Sequence, residues 1–323
     1  MKKIIWTLLA GVLSVCSGMA QQVEPIPFGD FDQWLVRRIK ESFVIGGHVT
    51  SVYVVAPTDT LVSTNAYVND SGSPWASSNV MAKVAGVVKT SVTVFPEERD
   101  GGYCARMDTR LEKVKVLGMI NISVLASGSI YLGQTIEPIK GANDPYKNLD
   151  MGIPFTKTPR ALVFDYKAKI SQDDKVTRAT GSGVSKVDGR DRGETVVFLQ
   201  KRWEDEKGNL FAQRVATARE RYAESTDGWV NGHKLPLHYG DISAADYYDE
   251  SMGLMTEGLF YAMNSKGHMV PVKEVGWAAV GEKPTHLLLM FSSGSLGAFT
   301  GALGNSLWVD NVALEYGDSG PVE

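Results

Sequence analysis

The chain has 323 residues, 43% of them hydrophobic, and 33 Lys and Arg against 37 Asp and Glu give a formal net charge of -4. That balance excludes a nucleic-acid binder working through a basic patch. The apolar fraction suffices for a full core in one large β domain or two smaller ones.

Residues 1–20 read as a secretory signal: Lys2 and Lys3, an apolar run from Ile4 to Val15, then small residues ending Gly18-Met19-Ala20. The run is too short and too early for a membrane span, and no other stretch of the mature chain is a transmembrane candidate. Cleavage after Ala20 is expected in preference to a lipid anchor on Cys16, because Val15 is bulkier than a lipobox allows. The destination is then the periplasm or the cell surface. Cleavage removes two lysines and no acids, taking the net charge to about -6. Cys104 becomes the one remaining cysteine, expected as a small buried hydrophobe in a strand-like stretch rather than as an activated thiol.

The first element of the mature chain is a predicted short helix. Asp30-Phe31-Asp32-Gln33 has the capping-box pattern, and Phe31, Trp34, Leu35 and Ile39 follow at helical spacing before Gly46-Gly47. Beyond it the pattern is mostly strand. Leu162, Phe164, Tyr166, Ala168 and Ile170 alternate with Val163, Asp165, Lys167 and Lys169, the period of a strand with one buried and one wet face. Thr195 to Leu199 and His286 to Phe291 are apolar on both faces and belong between layers. The charged turn from Trp203 to Asn209 predicts a hairpin of Val196–Trp203 with Leu210–Arg219, against the helical propensity of residues 212–224. Loops are expected at residues 69–74, 141–152, 171–193 and 240–258. With no repeat and no composition break, residues 21–316 read as a single all-β domain, a jelly-roll β-sandwich with one short N-terminal helix.

Several constellations invite a chemical reading. Gly317-Asp318-Ser319-Gly320 resembles a serine-protease nucleophile turn, but only four residues follow Ser319, too few to wall a specificity pocket, so residues 317–323 are expected as a solvated tail. His48, His233, His238, His268 and His286 show no zinc spacing. Residues 181–186 look like a phosphate loop without the strand before or the helix after, and are expected as a flexible loop. Glu97-Glu98, Asp173-Asp174, Glu204 to Glu206 and Asp249-Glu250 could each supply a hydrolase carboxylate pair, but charged turns explain them.

The last strand, Leu307 to Tyr316, alternates so that Asp310 falls on the face of Trp308, Val312, Leu314 and Tyr316. A carboxylate there must be paired, hydrogen-bonded or bound to a cation, or a bulge must turn it outward. Hydrogen bonding by loop amides is one solution, and calcium, natural for an exported protein with oxygen ligands, is the other. Aromatics in polar loops complete the survey, since sugar rings stack on Trp and Tyr while polar neighbours take the hydroxyls. Trp75 with Asn79, Trp229, and the pair Tyr247 and Tyr248 qualify; Trp34, Trp277 and Trp308 read as core.

Taken together, residues 28–34 (FGDFDQW), 74–79 (PWASSN), 103–109 (YCARMDT), 128–133 (GSIYLG), 152–159 (GIPFTKTP) and 308–312 (WVDNV) resemble the putative carbohydrate metabolism domain family of exported bacterial proteins. The resemblance runs from about residue 25 to residue 316. It implies a jelly-roll sandwich similar to carbohydrate-binding modules, with a glycan-related role and no agreed catalytic residues. Many relatives carry an immunoglobulin-like domain ahead of this one; none is expected here, where the motifs begin within ten residues of the cleavage site. The expected function is glycan recognition without catalysis. The rivals are a glycoside hydrolase and an adhesive surface protein that binds another protein.

Overall fold

Strands rich in Val, Ile, Phe and Tyr cannot leave their backbone groups unpaired in a core, so the architecture follows from which strands share a ladder. The computed structural model describes residues 22–84, 86–116, 120–141, 146–181, 183–257 and 259–317. Two sheets dominate. The outer sheet runs Val230–Pro236, Ala161–Lys169, Ser306–Tyr316, Gly102–Asp108, Val94–Arg99, with Gln22–Pro25 added along the far half of Ser306–Tyr316. Its pairings are antiparallel throughout.

The central sheet runs Ile153–Pro154, His286–Ser292, Gly193–Glu204, Leu210–Tyr222, Met269–Trp277, Tyr261–Met263, Leu149–Met151, Ser129–Thr135, Trp75–Ser77. Ser129–Thr135 also pairs back onto His286–Ser292, so the path closes into a ring. One wall of the ring packs against the outer sheet. Val197, Leu199, Leu287, Leu289 and Phe291 meet Met107, Leu162, Phe164, Leu307 and Val309 in the main core. From the same strands Val196, Phe198 and Leu288 turn the other way and join Tyr131, Met151 and Phe260 in a second cluster. This explains the segments that read as apolar on both faces. The predicted hairpin is present as Gly193–Glu204 with Leu210–Tyr222, and strand pairing overrides the helical propensity of its second arm.

Charged groups are sealed in this ring too. Arg214 and Glu274 have no accessible side-chain surface and form an ion pair. The Glu274 carboxylate also accepts from Gln200 Nε2 at 2.6 Å and from the Met255 amide at 2.7 Å. Smaller sheets flank the sandwich: Trp34–Lys40 between Val49–Val55 and Asp59–Val62, the hairpin Val80–Val84 with Val87–Ser91, and a five-stranded sheet that includes Arg110–Val116 and Ile120–Ala126.

The described residues are all-β and sandwich-like; their only helical segments are the 3-10 turns Phe43–Ile45, Tyr146–Asn148 and Glu250–Met252. The expected N-terminal helix is therefore corrected to a strand. Phe28 and Phe31 take left-handed φ values of 59° and 48°, which break any helical run. Trp34–Lys40 pairs residue for residue with Val49–Val55, a partner that the local capping pattern cannot reveal. Instead of capping a helix, the Asp32 carboxylate accepts the Tyr103 amide at 2.8 Å. The expected loop over residues 171–193 is corrected as well, for it contains the paired strands Lys175–Gly181 and Val184–Asp188. Val176 and Ala179 anchor the first of these in the interior. Residues 1–20 and Ser319 lie outside the described residues.

Candidate functional site

Register decides which side chains meet on the solvent side of the outer sheet. Lys167 lies opposite Trp308, and Trp308 opposite Arg106 on the next strand. Trp308 Nε1 donates to Glu97 Oε1 at 2.8 Å, and Arg106 Nη1 donates to Glu97 Oε2 at 2.7 Å. The Lys167 ammonium stands 4.2 Å from the Trp308 ring centre. One row further along, Asp165 faces Asp310 across the ladder. Two carboxylates so placed would repel, and Arg99 reaches across from the edge strand Val94–Arg99, two places from Ser306–Tyr316, to join them. Its Nη1 donates to Asp310 at 2.7 Å and its Nη2 to Asp165 at 2.9 Å and to Asn231 Oδ1 at 2.7 Å. The guanidinium carbon lies 3.8 Å over the centre of the Trp229 ring, within the range of a cation-π contact.

Asn311, at a left-handed φ of 52°, marks a bulge opposite the register shift in Ala161–Lys169. Asp310 therefore shares the outer face with Trp308, as alternation predicts, but Val312 and Leu314 turn into the core. The bulge also frees Asn311 Nδ2 to donate to Asp165 at 2.8 Å, while the Gly232 amide donates to the other oxygen at 2.6 Å. The cation that Asp310 calls for is Arg99. Among the described residues no group of three or more His, Cys, Asp or Glu side chains could hold a metal ion, and Arg99 is the counter-charge the structure supplies to Asp310.

The two carboxylates are pushed apart in acidity. Burial raises Asp310 to about 6, against the pull of the Asn311 amide and Arg99. Burial also acts on Asp165, but donation from Asn311, Gly232 and Arg99 outweighs it and holds that carboxyl below its ordinary value. The signs differ for stability. Asp310 binds its proton more tightly folded than unfolded, so its contribution declines as pH rises from about 4 to about 6. Asp165 contributes above the ordinary carboxylate range and loses that contribution as pH falls through its lowered value. Thermal unfolding from pH 4 to pH 7 should accordingly show wild type losing ground to Asp310→Asn across that first window. A difference that stays constant with pH would show that Asp310 does not titrate there.

Cys104 lies beneath this network, with Glu97, Asp310, Lys167 and Arg99 as its charged neighbours, and burial followed by the two acids pushes its thiol up to about 12. It is a buried, inert sulfur, as expected. Other sequence candidates fare differently. Trp75 is fully buried: its Nε1 donates to the Pro27 carbonyl at 2.9 Å, and its ring meets Phe31 edge-on at 5.1 Å. Asn79 is also buried. Its Nδ2 donates to the carbonyls of Tyr53 and Val94, and its Oδ1 accepts the amides of Thr93 and Val94. Every polar valence is used to brace backbone, and neither residue offers the open face expected of a sugar platform; both instead line a small cavity beside Arg37, Tyr67 and Glu137.

Trp229 remains half-exposed on the outer face. Tyr247 is exposed and stacks on His238 at 4.1 Å, while Tyr248 is half-buried nearby. Trp229 precedes the strand Val230–Pro236 and His238 follows it, so the two aromatic positions sit at opposite ends of a seven-residue strand, roughly 20 Å apart. They do not form one concavity. Sequence reasoning missed Arg99, Arg106 and Asn231, assigned Glu97 to a charged turn and placed Trp308 in the core. The available signal was the wet-face row Val163, Asp165, Lys167 and the pairing of Trp308 with Asp310 on one face. The histidines gather no site: His233 Nε2 lies 2.6 Å from Glu220, and burial pushes His286 down to about 4.

These features define an all-β, sandwich-like protein that presents an aromatic, acidic and basic patch on the face of one sheet. The chain belongs to the putative carbohydrate metabolism domain family, whose model matches residues 51–315. Among solved structures it is similar to a putative glycoside hydrolase from Bacteroides thetaiotaomicron, at 21% identity and a TM-score of 0.47 over 88% of this chain and 71% of that one. It is also similar to a putative glycoside hydrolase from Bacteroides vulgatus, at 13% identity and a TM-score of 0.43 over 91% of this chain and 94% of that one. No curated protein matches the chain.

Proposed function

We propose that this protein binds glycans and that the outer-sheet face carrying Trp229 and Trp308 is the contact surface. The observation behind this reading is the half-exposed position of both indoles beside Glu97, Lys167, Asp165 and Asp310 on one antiparallel sheet. Sugar rings offer C-H faces to indoles and hydroxyls to charged side chains, and here the polar groups are held in place before any ligand arrives. The family assignment supports a carbohydrate ligand. The proposal includes jelly-roll connectivity, an export signal in residues 1–20, and a periplasmic or surface location.

Affinity electrophoresis of residues 21–323 through gels containing a panel of polysaccharides tests the reading. Retardation is expected in at least one gel, and Trp229→Ala or Trp308→Ala should weaken it about tenfold, the loss of roughly 1.4 kcal/mol of stacking. Retardation unchanged in both variants would move the site off this face.

Glycoside hydrolysis is the second reading, favoured by the opposite acidity shifts of Asp310 and Asp165, which face each other as an acid and a base would. Its mark is release of reducing sugar that falls as pH rises past about 6 and disappears in Asp310→Asn. A polysaccharide that retards the protein but is never cleaved leaves the protein a binder.

A further inference from the structure

The three-stranded sheet beside the sandwich ends in a feature that glycan binding does not use. Between Trp34–Lys40 and Val49–Val55 the chain makes the 3-10 turn Phe43–Ile45, closed by Gly46 and Gly47 at φ values of 110° and 64°. Phe43 is 90% exposed and Val44 is exposed beside it. Ladder register brings two more apolar side chains to the same end: Val49 pairs with Lys40, and Val62, 78% exposed, pairs with Arg38. Four exposed apolar side chains gathered at one end of a sheet form a patch of the kind that marks an interaction site.

The base of this tip is held firmly. Ser42 donates its amide to the Val88 carbonyl at 3.1 Å and accepts the Val88 amide on its hydroxyl at 2.8 Å. Glu41, the one carboxylate between residues 33 and 58, is buried and takes the Thr90 amide, the Thr90 hydroxyl at 2.6 Å and Lys89 Nζ at 2.9 Å. Its negative charge is turned inward and paired. What faces solvent at this end is four apolar side chains flanked by the exposed Arg38 and Lys40. On a chain whose overall charge is -4, the combination is a local exception.

We infer that this tip docks on an anionic phospholipid surface, Phe43 and Val44 entering the headgroup boundary while Arg38 and Lys40 meet lipid phosphates. The charge sign selects an anionic partner, and four exposed apolar side chains at the end of a sheet suit a deformable layer better than a preformed pocket. The inference is independent of the glycan reading, since no residue of the outer-sheet face takes part.

Co-sedimentation of residues 21–323, which hold every described residue, tests it. Vesicles of phosphatidylcholine with about one third phosphatidylglycerol should carry the protein down, with less sedimenting at high salt or on phosphatidylcholine alone. Phe43→Asp with Val44→Asp should cut partitioning at least about tenfold, and Lys40→Glu about fivefold or more. Both variants alter exposed side chains, so thermal unfolding should match wild type and exclude misfolding as the cause. Wild type remaining in the supernatant with both vesicle types, or the double variant sedimenting as well as wild type, overturns the inference. So does concentration-dependent self-association that the double variant abolishes without any vesicle binding, which would make the tip an interface between copies.

Discussion

Replacing Glu274 by Ala should destabilise the protein by about 3–5 kcal/mol and lower its Tm by roughly 10 °C, while leaving the outer-sheet face untouched. The carboxylate receives Arg214 Nε at 2.6 Å along with Gln200 and the Met255 amide. The guanidinium is equally enclosed: its carbon lies 3.4 Å from the Phe198 ring centre, and Nη1 donates to Thr217 Oγ1 at 3.0 Å. Taking away the acid leaves a cation without its counter-charge in a site that excludes water, together with two further donors that lose their acceptor. Burial already draws the Arg214 guanidinium below its ordinary basicity, and Glu274 is the main group that offsets it. The pair Arg214→Met with Glu274→Leu should recover part of the loss, because no lone charge then remains. Thermal unfolding followed by circular dichroism reads both. A Glu274→Ala variant melting within about 2 °C of wild type would show that water or another acid reaches Arg214. The bonds from Arg214 to the carbonyls of Met252 and Gly253 fasten the loop after residue 240 to the ring, so proteolysis of that loop should quicken in the variant.

What could be read without coordinates was whatever the chain writes at short range. Period-two alternation in Ala161–Lys169 and the doubly apolar runs of Gly193–Glu204 and His286–Ser292 appear in local order, and each became a strand in the expected layer. The hairpin of residues 193–222 was legible because Asp205 to Asn209 carry turn chemistry, with Asp205 accepting the amides of Lys207 and Asn209. The N-terminal segment was misread because its capping pattern is also local, whereas the strand that claims it, Val49–Val55, is not. The site failed for the same reason. Arg99 is 66 positions from Asp165 and 211 from Asp310, and only the order of strands in the outer sheet brings the three together. Alternation did place Asp310 beside Trp308, but it cannot say which side of a strand meets water, so Trp308 was read as core although its indole N-H ends on a half-exposed glutamate.

Trp75 is where polar neighbours misled most, and its replacement gives the second large effect. Trp75→Ala should cost about 3–5 kcal/mol, again lowering Tm by roughly 10 °C, without selectively removing glycan retention from the folded fraction. Serines, a proline and an asparagine surround it in sequence, yet the ring is wholly inside, and the strand Trp75–Ser77 is stitched to Ser129–Thr135 with Trp75 opposite Leu132. Removing the indole empties the largest fully buried side-chain volume in the core and leaves the Pro27 carbonyl without its donor. Trp75→Phe keeps most of that volume and loses the hydrogen bond, so it should cost about 1–3 kcal/mol. Trp229→Ala is the contrasting case: its ring is half-exposed, so Tm should move by only a few degrees while retardation weakens. The two tryptophans thus separate stability from recognition in one experiment. A Trp75→Ala protein with unchanged Tm and abolished retardation would reverse both assignments, placing the ring at the ligand after all.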